Sequence, residues 1–72
     1  MSYHVYKKIE LVGSSATSIE DAISNAITVA SSSLDHIDWF EVIETRGEVK
    51  GGAITYYQVT VRVGFRLNKE AG

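Results

Sequence analysis

Four side chains of this 72-residue chain have something to offer a ligand: the only tryptophan, Trp39, together with Gln58, Arg62 and Arg66. An indole face stacks on a planar ring, a carboxamide both donates and accepts hydrogen bonds, and a guanidinium suits a phosphate. These types point to binding. They do not point to catalysis, because no nucleophile stands near a base, no glycine-rich loop is present to cradle a phosphate, and no carboxylate pair has an evident shared task. Ser14, Ser15 and the run Ser31-Ser32-Ser33 answer loop and cap needs. His4 and His36 lack ligand spacing and the chain has no cysteine, so neither a metal site nor a disulfide is expected.

Strand pleating is what gathers the four on one surface. Asp38 to Gly47 alternates side-chain types and is rich in β-branched and aromatic residues, so it reads as a strand closed by a glycine. Alternation puts Phe40 and Val42 on an inward face and Trp39, Glu41, Ile43 and Thr45 on the other. Ile54 to Leu67 alternates more cleanly still. Its apolar row (Tyr57, Val59, Val61, Val63, Phe65, Leu67) opposes a row of Tyr56, Gln58, Thr60, Arg62, Gly64 and Arg66.

The remaining elements follow from the same rules. Tyr3 to Val12 reads as a first strand, with Val5, Ile9 and Leu11 on one face and His4, Lys8 and Glu10 mostly on the other; Tyr6 and Lys7 blur the pattern. Gly13 to Thr17 reads as a loop, after which Thr17 or Ser18 caps a helix and Glu20 or Asp21 completes a capping box. Within that helix Ile19, Ala22, Ile23, Ala26, Ile27, Ala30 and Leu34 form one apolar stripe, expected to be core. Glu48 to Ala53, with Gly51 and Gly52, reads as a hairpin turn, and Asn68 to Gly72 as a frayed tail.

A helical crossover makes strands one and two parallel, so an antiparallel sheet requires strand three between them. The expected fold is α+β: a β-α-β-β chain forming one domain over residues 1–72, with strand order 1-3-2 and the helix on one face. The apolar row of strand three faces that helix, which leaves Trp39, Gln58, Thr60, Arg62 and Arg66 on the opposite face. Such a set is an interface, a ligand site or both. Self-association is expected for a second reason, since a chain this short buries only about 60% of the surface its unfolded form exposes and has no disulfide or metal to help. A net charge of −2 with no basic run argues against nucleic acid, and the short apolar runs argue against a membrane span or export signal, so a cytoplasmic location is expected.

The segments Val5-Tyr6-Lys7-Lys8-Ile9-Glu10-Leu11-Val12-Gly13-Ser14-Ser15, Asp38-Trp39-Phe40-Glu41-Val42, Thr45-Arg46-Gly47, Tyr57-Gln58-Val59-Thr60 and Val63-Gly64-Phe65-Arg66-Leu67 occur here in order. Together they resemble the dodecins, small flavin-binding proteins, over about residues 3–67. The resemblance implies a hollow homododecamer whose sheets wrap around the helices and whose flavins sit in pairs at subunit contacts. In it, Trp39 matches the tryptophan that stacks on the isoalloxazine ring, and Gln58 the glutamine that bonds the pyrimidine edge. Arg46 and Arg66 match basic positions near the ribityl-phosphate end that favour FMN over riboflavin. Strict alternation places Arg46 on the Phe40 face, so a bulge or twist late in strand two is required to re-aim it. Some bacterial members also bind coenzyme A, although no compact motif carries that property over.

The expected activity is therefore flavin storage without turnover, with the Trp39 indole quenching the excited state of the stacked ring. Two alternatives stand beside it. One is a structural oligomer module whose Trp39 face only joins subunits, and the other is an enzyme that uses bound flavin for redox work.

Overall fold

The computed structural model describes residues 4–67. Strands β1 (Val5–Ser15), β2 (Ile37–Lys50) and β3 (Ala53–Leu67) form one antiparallel sheet in the order β1-β3-β2, and helix α1 (Ile19–Ser33) makes the crossover between β1 and β2. The expected β-α-β-β chain with β3 in the centre is thus the observed one. The start of strand one at Tyr3 and the tail Asn68 to Gly72 lie outside the described residues.

Helix α1 starts where the chain offers its amides a partner. Ser18 is the N-cap, its Oγ accepting from the Asp21 N–H at 3.0 Å. The other half of the capping box is relayed through Ser15, whose hydroxyl donates to Asp21 Oδ2 at 2.6 Å and accepts from the N–H of Ser18 at 3.4 Å and of Thr17 at 2.9 Å. Ser15 therefore belongs to the end of β1. The segment Gly13 to Ser15, expected as loop, continues the ladder opposite Val59, Gln58 and Tyr57. Gly13 is small for a packing reason: a Cβ there would lie 2.1 Å from the Ala22 carbonyl oxygen and 2.8 Å from Ala26 Cβ. After Leu34 the chain turns sharply through His36, at φ 64°, whose carbonyl accepts the Arg66 N–H at 3.0 Å.

This close approach decides which residues become core. Ala22, Ala26 and Ala30 are buried, and with Val59, Val61 and Val63 of β3, each fully buried, they form the centre of the molecule. Ile23, Ile27 and Leu34 pack only partly, and Ile19 is exposed. The apolar stripe is thus wider than one chain buries. Because α1 lies on β1 and β3, it leaves β2 open on the helix side. Phe40 and Val42 do face that side, opposite Val63 and Val61, yet each remains 47% exposed. Between Phe40 and the flank of α1 formed by Ile23 and Ile27 lies an open groove of about 400 Å³.

The turn expected at Glu48 to Ala53 shrinks to Gly51 and Gly52, at φ 59° and 79°, a geometry suited to a tight two-residue hairpin. The flanking residues extend the strands, and because β1 ends opposite Tyr57, the stretch from Ala53 to Tyr56 pairs with β2 alone. This ribbon lengthens the molecule to 58 × 20 × 13 Å, with a radius of gyration of 15.3 Å. A compact chain of this size would have a radius near 11 Å.

Candidate functional site

The face of the sheet away from α1 is laid out by the register. Five rows cross it: Tyr6 with Arg66; Lys8, Gly64 and Trp39; Glu10, Arg62 and Glu41; Val12, Thr60 and Glu44; and Ser14, Gln58 and Arg46. Trp39, Gln58, Arg46 and Arg66 therefore all belong to one surface. Two irregularities in β2 make this possible. The first, at Asp38, lets Ile37 point into the core while Trp39, two residues on, points out. The second inserts Ile43 between Val42 and Glu44, which turns Arg46 outward beside Gln58 and sends Thr45 to the helix side opposite Val59. Strict alternation predicts Thr45 on the Trp39 face, and the bulge overturns that. The required re-aiming of Arg46 is met by that second bulge.

Trp39 does not stand up from the sheet. Its six-membered ring lies across Gly64, so closely that a Cβ on Gly64 would be 2.2 Å from Cε2 and Cζ2 and 2.7 Å from Cη2. The Tyr6 ring closes one edge, with centroids 4.9 Å apart and planes inclined at 58°. Trp39 is 36% exposed even so. Around it the charges are paired: Lys8 with Glu41 across the sheet, and Arg62 with Glu10 at 3.0 Å. The Lys8 ammonium beside Glu41 holds that carboxyl below its ordinary 4.5, with smaller contributions from the Trp39 indole N–H and from Arg62.

The four candidate residues do not form one cluster. Arg66 lies one row beyond Trp39, whereas Gln58 and Arg46 lie six residues along β3 from Gly64, which at strand rise is about 20 Å. No planar ring in contact with Trp39 reaches Gln58 of the same chain. A planar ring that touches both must sit between copies. Tyr6, Gly64, Lys8 and Glu41 were not singled out as site residues from the sequence, though signals existed. Counting alternation back from Lys8 places Tyr6 on this face, and a glycine inside a strand marks a close approach by another group.

A family comparison bears on this arrangement, for the dodecin family model matches residues 5–68. The chain belongs to the dodecin family. The dodecin of Thermus thermophilus is 49% identical over 65 residues, which cover 90% of this chain and 94% of that protein. The structure of dodecin from Streptomyces coelicolor superposes with a TM-score of 0.90 at 41% identity, covering 97% of this chain and all of the other. The calcium dodecin of Mycobacterium tuberculosis is 35% identical over 63 residues, 88% of this chain and 89% of that protein. Dodecins are small flavin-binding proteins that assemble from copies of one chain, and they act as binding proteins. Among the described residues, no three His, Asp or Glu side chains of this dodecin come together in a group able to hold a metal ion. No described helix is long and apolar enough to cross a membrane.

Proposed function

We propose that this dodecin stores and buffers FMN or riboflavin in the cytoplasm as a homododecamer, holding the flavin on Trp39 and quenching its excited state. The observation that carries the reading is the Trp39 indole lying flat on Gly64 with its other face outward, a ready platform for a planar aromatic ring. When bound, the flavin supplies a redox-active, photoexcitable ring. Trp39 would hold that ring by stacking, and its electron-rich indole in contact with the ring would supply the quenching. Gln58 of a neighbouring copy bonds the polar ring edge. Arg46 and Arg66 attract the phosphate, which favours FMN; they would suit the phosphates of coenzyme A equally, but the indole platform favours a flavin. In the Thermus dodecin, single substitutions of one tryptophan and of two arginines have each been examined structurally, and these are the residue types this reading relies on.

The test is a titration of the purified apo protein with FMN and with riboflavin, followed by flavin fluorescence. Quenching that saturates near one flavin per chain is expected, with tighter binding of FMN. An absence of quenching would leave the outer face as a subunit contact alone.

A further inference from the structure

We propose that Gly64 and Tyr6 are positioning residues for the flavin platform: they lay the Trp39 indole flat and fix it, so that each chain offers one aromatic face. This rests on the flavin-binding reading above. A tryptophan on a strand normally stands roughly perpendicular to the sheet and leaves both ring faces accessible. Here Trp39 sits directly opposite Gly64 and folds over it, occupying the space that any larger side chain would fill. A methyl group at Gly64 would lie 2.2 Å from two indole carbons, against an ordinary carbon–carbon contact of about 3.5–4.0 Å, so the ring has to lift or swing aside. Tyr6, from the opposite edge strand, blocks one way out at a centroid distance of 4.9 Å. The lower indole face is thereby covered by main chain. Only the outer face remains for a ligand ring, which limits each Trp39 to one flavin.

Gly64 does not adopt a positive φ, so alanine is compatible with the backbone there, and the added side chain suits a strand better than glycine does. Gly64→Ala should leave far-UV circular dichroism and assembly size unchanged, alter the near-UV signal of the indole in the apo protein, and weaken FMN binding at least about fivefold. In a double-mutant cycle, Gly64→Ala should add nothing to Trp39→Ala, because its whole effect passes through the indole. Tyr6→Ala should show the same pattern with a smaller loss. Wild-type FMN affinity in Gly64→Ala, or a loss that persists in the Trp39→Ala background, would overturn the positioning role. Should wild-type protein fail to bind FMN, the storage reading falls instead, while an unchanged apo near-UV signal in Gly64→Ala would still refute the positioning.

Discussion

The two ends of the outer face are built to opposite plans. At the Trp39 end the groups around the indole are held, the indole by Gly64 and Tyr6, Lys8 by Glu41, and Arg62 by Glu10, and the Arg66 side chain one row beyond is the exception, with no hydrogen bond or ion pair among the described residues. At the Gln58 end, about 20 Å along β3, the side chains of Gln58 and Arg46 make no hydrogen bond or ion pair among the described residues. A single chain therefore carries a finished stacking platform and an unfinished polar clamp. The difference teaches that shape is settled by folding, while hydrogen bonding and charge neutralisation wait for a neighbour and a ligand.

Predictions can break that contrast or sharpen it. The largest effect belongs to the prebuilt end. Trp39→Ala should cost about 2 kcal/mol or more of FMN binding and should restore the fluorescence of whatever flavin remains bound; equilibrium titration with emission read at saturation checks both. Gln58→Ala should cost about 1–3 kcal/mol, yet leave the bound flavin as dark as in the wild type, since the indole is untouched. Co-assembling these two variants should then recover part of the binding, because some contacts join an intact Trp39 from one copy to an intact Gln58 from another. No recovery in the mixture would mean that both residues act within one chain. Smaller still, Arg46→Ala or Arg66→Ala should weaken FMN about tenfold and leave riboflavin unaffected, as expected for a charge-assisted contact to the phosphate alone.

The smallest effect concerns the charges that frame the platform. Glu41 has a lower pKa in the folded chain than in the unfolded one, owing chiefly to Lys8, so its contact stabilises the fold above the ordinary value of 4.5 and the contribution disappears as pH falls through the folded value. The difference in thermal midpoint between wild type and Glu41→Gln should be present at pH 6–7 and vanish toward pH 3. Both side chains are well exposed and screened by solvent, so the shift should be slight and should shrink further with added salt.

Much of this was legible in the chain because it rests on periodicity. The apolar row of β3 and the crossover rule together give the strand order and send Trp39 and Gln58 to the same face. What was hidden rests on single insertions and on depth. The bulge at Ile43 reverses every face assignment after it, and alternation carries no sign of an inserted residue when the neighbours Ile43 and Thr45 suit either side. Gly13 to Ser15 looked like a loop because small polar residues favour turns. Gly13 is small instead because α1 rests directly on it, and Ser15 is polar because its hydroxyl ties down the start of α1. Nor does periodicity measure how far a helix spreads: alanines at the contact bring α1 down onto β1 and β3, and the bulkier isoleucines are left facing an open groove beside Phe40.

That groove and the ribbon beyond it, where Val49 and Ile54 are 65% and 59% exposed, have a thermodynamic consequence. A chain with this much exposed apolar surface should not melt at one fixed temperature once it assembles. Its midpoint should climb with protein concentration by mass action, and dilution alone should act as a denaturant, so the working reserve of folded protein is set by how many copies the cell maintains.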